Sequence, residues 1–285
     1  MTTLRAPAAW LLICLWFGGV APAEETAVPQ RPSTAQPNVQ ILAPMTIQGL
    51  DRQRTIRLYL PPDYAKSDKR YPVLYMHDGQ NLFDAATSFL GEWEVDETLN
   101  ELAKTRGLEL IVVGIDNGAE HRMQELAPFD NAKFGPAEGD AYLAFIVDVV
   151  KPTIDAHYRT KPGRADTAIM GSSLGGLVSH YAICRYPQVF GKAGLFSPSF
   201  WYAPAIYSQT AAHPPRTDAR LYFYAGGRED DHMVGNMERM LSLLRTAGSP
   251  ARNVTAHVVA DAQHNEAAWR AEFGRAVVWL FADSN

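Results

Sequence analysis

A serine flanked by glycines is the residue in this chain best suited to nucleophilic chemistry. Gly171-Ser172-Ser173-Leu174-Gly175-Gly176 follows a short apolar run, Thr167 to Met170, and opens a helical pattern from Leu174 to Cys184. The pattern Gly-x-Ser-x-Gly reads in one frame only. Ser173 has Gly171 two before it and Gly175 two after it, whereas Ser172 has Met170 and Leu174 in those places. A hydroxyl presented on a sharp strand-to-helix turn needs small neighbours, because bulk there would strike the adjacent backbone. The helix N-terminus behind it favours developing negative charge. Attack of the Ser173 hydroxyl on an acyl carbon is the chemistry this implies. A glycine-rich turn with an incidental serine would match the same five residues, so the partners must decide.

Such a serine needs a base, and with a strand-turn-helix nucleophile the order along the chain is Ser, acid, His. His180 lies two turns into the helix that Ser173 opens and cannot swing back. His213 precedes Pro214-Pro215 in a loop, and His257 sits inside an alternating strand. His264 remains, between the last strand and the last helix, where an imidazole at a strand's carboxyl end can take the Ser173 proton. The acid is expected in the loop Ala225-Gly226-Gly227-Arg228-Glu229-Asp230-Asp231-His232. Of its three carboxylates Glu229 is preferred and Asp230 is next. The others read as a charged loop or as a cap on a helix beginning near Met233.

An acyl carbon under attack also needs N–H donors aimed at its oxygen. One is expected from the backbone of Leu174. The other is expected from Gln80, in the turn His77-Asp78-Gly79-Gln80-Asn81-Leu82-Phe83-Asp84. His77 reads as a brace for this turn rather than a base. His77, Asp78 and Asp84 have no diagnostic metal spacing. Trp93, Arg122, Phe200 and Trp201 are candidates for lining a substrate pocket, although each is individually more often packing. Neither a metal nor a cofactor is called for.

Strand-like and helix-like segments alternate around these residues. Arg54 to Leu60 alternates polar and apolar before Pro61-Pro62, as a sheet-edge strand would. Tyr71 to Met76 and Leu108 to Ile115 are nearly continuous apolar runs, which suits parallel strands covered on both faces. Thr167–Met170, Ala193–Phe196, Leu221–Tyr224 and Val254–Val259 are further strands. Leu143, Ile146, Val150 and Ile154 give a helical stripe that Pro152 must kink or interrupt. Trp269, Phe273, Ala276 and Leu280 give another. The alternation predicts an α/β fold with a mostly parallel sheet and its site at the strands' carboxyl ends.

The chain has 285 residues, 47% of them hydrophobic, and a net charge of -5. That fits one domain and offers no basic face for nucleic acid. Arg5, the apolar run Ala8–Val20 and the small residues Ala21-Pro22-Ala23 read as a signal peptide over 1–23, cleaved after Ala23, with no stable membrane insertion afterwards. A membrane anchor is the alternative, but the run is short for a span. Residues 24–38, rich in Pro, Gln, Thr, Ser and Ala, read as a flexible linker, and 39–285 as the domain. Of two cysteines, Cys14 lies in the signal and Cys184 is left alone, which excludes an internal disulfide. Localisation is therefore expected to be secreted or periplasmic, and the oligomeric state is left open.

His77 to Asp84, Gly171 to Gly176, and His264-Asn265-Glu266 with Trp269 together resemble the Putative esterase family. That family includes esterase D-like, feruloyl, acetyl-xylan and enterobactin esterases and the antigen 85 acyltransferases. The resemblance implies an α/β-hydrolase fold with little or no lid and acyl transfer through a serine ester. Members that carry the acid as the third residue after a strand-ending glycine would place it at Glu229 after Gly226, or at Asp230 after Gly227. Members that draw it from the following helix would place it at Glu238. Asp78, between His77 and Gly79, departs from the plain His-Gly of many members. An acylated carbohydrate or a siderophore lactone is the expected substrate, with Arg122 and Arg228 as the cations a negative siderophore would require. Acyl transfer to a sugar or alcohol, or binding without catalysis, are the alternative functions.

Overall fold

The computed structural model describes residues 31–281. The expected signal peptide and the first part of the expected linker lie outside them. Eight strands form one sheet: β1 (Val39–Ile47), β2 (Arg52–Tyr59), β3 (Val73–His77), β4 (Ile111–Ile115), β5 (Thr167–Ser172), β6 (Lys192–Phe196), β7 (Arg220–Gly226) and β8 (Val254–Val259). Their order is β1-β2-β4-β3-β5-β6-β7-β8. β1 and β2 pair antiparallel, β2 is antiparallel to β4, and every other pair is parallel. The mostly parallel sheet is as expected, and its helices lie on both sides.

The continuous apolar strands sort their side chains into two cores, since successive residues face opposite ways. Val73 and Tyr75, Ile111 and Val113, Ile169, and Leu221 and Phe223 belong to one core. Leu74 and Met76, Val112, Ala168 and Met170, and Tyr222 and Tyr224 belong to the other. The second core is closed by α1 (Val95–Arg106), through Val95 and Leu99, and by the last helix through Trp269, Phe273, Ala276, Val277 and Leu280. After α1 the chain forms the short α2 (Arg122–Glu125) and then α3 (Gly139–Phe145). A π-helical turn, Ile146–Val150, joins α3 to α4 (Lys151–His157). That turn is where the sequence reading put a kink: Pro152 cannot donate to the preceding turn, and the wider turn absorbs the mismatch. Leu143, Ile146, Val150 and Ile154 stay buried in the first core throughout. α5 (Leu174–Arg185), α6 (Ala205–Ala212) and α7 (Met233–Thr246) complete that side, and α8 (Glu266–Phe281) is the last helix.

Two expectations need correction. Arg54–Tyr59 lies within a strand that ends one residue before Leu60, but not at the edge: β1 flanks β2 on its outer side. β1 escaped notice because Pro44 interrupts it, and the pairing register shifts between Leu42 and Met45 around that residue. A proline is tolerated there because the strand is an edge and locally bulged. The described part of the expected linker also runs against the domain by hydrogen bonds. Ser33 and Thr34 engage Asp84, Thr34 engages Glu92, Gln36 engages Asp96 and Glu97, and Asn38 engages Leu60 and Asn100. Polar side chains and backbone N–H groups of residues 33–38 supply these hydrogen bonds, most of them to acidic groups.

Candidate active site

Every parallel strand from β3 to β8 delivers residues to the same edge of the sheet. Ser173 follows β5 at φ 59°, ψ −120°, and starts α5. That backbone is costly for a residue with a side chain, and the surrounding packing sustains it. A Cβ on Gly171 would come within 2.8 Å of the His77 ring and 2.9 Å of the Gly175 carbonyl carbon. The turn therefore closes only with glycine at that flank. Leu174 opens α5, so its N–H is among those a helix leaves without an intrahelical acceptor.

Glu229 follows β7 and lies buried beneath the imidazole. Its Oε2 is 2.7 Å from His264 Nδ1, and its Oε1 accepts from the Gly226 N–H at 2.6 Å and from the Ser197 hydroxyl at 2.5 Å. Ser197 follows β6 with φ 44°, and its oxygen accepts the Trp269 indole N–H at 2.9 Å. The Trp269 ring stands edge-on to His264 with centroids 5.0 Å apart. The imidazole is thus held by a carboxylate on one side and an aromatic ring on the other. Asp230 faces elsewhere: its Oδ1 accepts the N–H groups of His232 and Met233 at 2.6 Å each, capping α7. Asp231 and, on α7, Glu238 are exposed. Ser173 Oγ is 3.1 Å from Ser199 Oγ. It shares with His264 a cavity of about 270 Å³, lined also by Asp78, Asn81, Phe89, Leu90, Arg122, Ser172, Glu266 and Trp269. Serine-to-base contacts are commonly loose until substrate enters.

The turn after β3 is fixed from several directions. Ser179 donates its hydroxyl proton to the Gly175 carbonyl at 2.7 Å. It must therefore accept from His77 Nε2–H at 3.1 Å, which leaves His77 Nδ1 to accept from Tyr142 O–H at 2.8 Å. Burial lowers His77 to about 4, so the ring is neutral and serves as a strut. Asp78, in the left-handed region at φ 55°, accepts both arms of Arg122 at 2.6 and 2.8 Å and Asn117 Nδ2 at 2.6 Å. Burial works to raise its carboxyl, but Arg122 and Asn117 outweigh that and hold it below the usual range. Gln80 lies in the short helix Gly79–Asn81; its side-chain Oε1 accepts the Asn117 N–H at 3.1 Å and its carbonyl accepts the Thr87 hydroxyl at 2.8 Å. A Cβ on Gly79 would lie 2.7 Å from Asp116 Oδ1.

The Putative esterase family description matches residues 47–280. The chain belongs to the Putative esterase family. Membership makes carboxylic-ester hydrolysis its class of reaction. It is 28% identical over 242 residues to the uncharacterized protein YbbA of Bacillus subtilis, covering 80% of this chain and 92% of that one. A similarity of 23% over 227 residues, 78% of this chain, links it to an endo-1,4-beta-xylanase/feruloyl esterase of Xylanibacter ruminicola, of which 28% is covered. Among solved structures, the enterochelin esterase of Shigella flexneri superposes with a TM-score of 0.72 at 19% identity, covering 88% of this chain and 60% of that one. This chain and that solved structure share the α/β-hydrolase fold.

In this esterase the remaining expected residues are distributed unevenly. Arg122 reaches the cavity, but with its charge matched by Asp78. Arg228 pairs with Asp261 at 2.7 Å on the surface. Trp93 is a correction: it is 3% exposed and packs on Phe196, Trp269 and Phe273 in the second core. Phe200 is fully buried, and Trp201 is 49% exposed outside the cavity lining. The sequence reading missed Ser197, Ser199, Phe89 and Leu90. Ser197-Pro198-Ser199 follows an apolar strand at the same edge of the sheet as Ser173, and that position was the available signal. Phe89 and Leu90 are 76% and 71% exposed at the cavity rim, in a loop that no periodicity marks. Among the described residues, no helix is long and apolar enough to cross a membrane.

Proposed function

We propose that the chain is an exported serine esterase that works through an acyl-enzyme on Ser173. The observation that carries this is the strained Ser173 turn opening on one cavity with His264, whose Nδ1 rests on the buried Glu229. His264 takes the Ser173 proton as Oγ attacks the ester carbonyl. The N–H groups of Leu174 and Gln80 receive the oxyanion. His264, stabilised as imidazolium by Glu229, then protonates the departing alcohol, and water activated by the same ring releases the acid.

The substrate we favour is a neutral ester, such as an aromatic acyl group on a carbohydrate, over an anionic siderophore lactone. Arg122 is neutralised by Asp78, Arg228 by Asp261, and Glu266 adds a carboxyl to the cavity, so among the described residues no uncompensated cation is offered there. Phe89, Leu90 and Trp269 supply apolar lining instead. The feruloyl esterase and the enterochelin esterase named among the similar proteins define the two compounds to compare. Export rests on residues 1–23, and N-terminal sequencing should find a mature chain starting at Glu24.

The deciding experiment is hydrolysis of p-nitrophenyl acetate, a feruloyl sugar and a catecholate trilactone by wild type and Ser173→Ala. The variant should lose about a thousandfold or more in kcat while remaining folded. Turnover by the variant near that of wild type would overturn the nucleophile. Preference for the trilactone would overturn the substrate assignment alone.

A further inference from the structure

Away from the active-site cavity, residues 34–36 cross the beginning of α1 on three carboxylates. Thr34 Oγ1 donates to Glu92 Oε2 at 2.7 Å, the Gln36 backbone N–H donates to Asp96 Oδ2 at 2.8 Å, and Gln36 Nε2 donates to Glu97 Oε1 at 3.2 Å. Each carboxylate thus has one oxygen engaged. The other oxygens, Glu92 Oε1, Asp96 Oδ1 and Glu97 Oε2, are buried and receive no hydrogen bond from a donor group among the described residues, and the Asp96 and Glu97 carboxyls lie within hydrogen-bonding reach of each other. Asp96 is fully buried and Glu92 is 7% exposed. The neighbouring Glu94 pairs with Arg270 at 2.6 Å, but none of these three forms such an ion pair with a described lysine or arginine.

Buried carboxylates gathered this way are sustained by opposite charge or by protons. One oxygen from each of the three lies within 4.8 Å of the others. Two Ca–O bonds of about 2.3–2.6 Å span that separation. All donors are hard oxygens, which excludes the nitrogen and sulfur preference of zinc or copper. Magnesium, with bonds of about 2.0–2.1 Å and firmly held water, suits a closed triad less well.

We propose that Glu92, Asp96 and Glu97 form a calcium site closed by the segment 34–36. Remaining ligands are waters entering beside Glu97, the least buried of the three. The ion clamps that segment to the start of α1 and steadies the loop carrying Phe89 and Leu90, since Glu92 is two residues beyond Leu90. The rival is a cluster that holds a proton: burial, with Glu97 alongside, pushes the Asp96 carboxyl up to about 8.

The test uses the full chain, stripped with EDTA and titrated with CaCl2 by calorimetry, with thermal unfolding read in parallel. Saturable one-site binding is expected with Kd of about 10⁻⁵–10⁻³ M. Tm should rise beyond that in choline chloride of equal ionic strength, since a ligand that binds only the folded state stabilises it. Asp96→Asn and, as the variant less exposed to folding failure, Glu97→Gln should each weaken binding at least tenfold. Absence of saturable heat up to ~10 mM Ca²⁺, well above the weakest Kd expected of extracellular calcium modules, would overturn the site. So would a Tm shift equal to that in choline chloride, or undiminished binding by the Glu97→Gln protein.

Discussion

Glu229 spends both of its carboxylate oxygens on orientation. One holds the His264 Nδ1–H, and the other takes the Ser197 hydroxyl and the Gly226 N–H. Ser197 in turn receives the Trp269 indole, so three segments meet on a single hydroxyl. Removing it by Ser197→Ala leaves the Trp269 N–H unpartnered in a buried setting and frees one side of Glu229. An unsatisfied buried donor costs about 1–3 kcal/mol. In the mechanism proposed above, the loss falls on the step in which the His264 imidazolium forms, lowering kcat roughly tenfold while KM stays near wild type. Steady-state kinetics on one ester separates the two. A raised KM with unchanged kcat would mean that Ser197 shapes the pocket rather than the triad.

At the scale of elements, the turn between β5 and α5 depends on close approach. Gly171→Ala puts a methyl 2.8 Å from the His77 ring and 2.9 Å from the Gly175 backbone, and neither can retreat, since His77 is pinned by Tyr142 and Ser179. Overpacking of this sort costs about 1–3 kcal/mol. Melting should fall by about 2–4 °C for each kcal/mol, and activity should drop further because Ser173 moves with the turn. Full activity in a protein of lowered Tm would show that the turn tolerates the shift. The same element was legible in the sequence because its glycines and apolar strand leave few alternatives. The buried strands β3 to β7 were legible for a similar reason: side chains covered on both faces must be apolar. β1 was not, because Pro44 and its exposed residues, such as Ile41, erase the alternation. The choice among Glu229, Asp230 and Asp231 was narrowed only by backbone geometry, which turns the first toward His264 and the second onto α7. Trp93 misled because aromatic residues beside a catalytic loop look alike whether they floor the site or line it.

The whole molecule carries its buried histidines as neutral rings, and that gives its stability a pH dependence of definite sign. His180, fully buried on α5, is lowered from 6.5 to about 3 by burial alone. Its Nε2 meets Thr210 Oγ1 at 2.9 Å, and its Nδ1 has no partner among the described residues. Between those two values the unfolded chain binds a proton that the folded chain refuses. Stability from this group is complete above pH 6.5 and is lost progressively as pH falls toward about 3. His77 acts in the same direction down to about 4. Asp78, held below its usual range, also loses stabilising charge as the solution is acidified. One proton corresponds to a slope of about 1.4 kcal/mol per pH unit. His180→Gln isolates the first contribution, because the amide can still donate to Thr210 while lacking a titrating site. Urea unfolding at about pH 7 and about pH 4.5 should show wild type losing roughly 2–3 kcal/mol more than the variant. Equal losses in the two proteins would mean that His180 is protonated in the folded state, and that the core around α5 admits water.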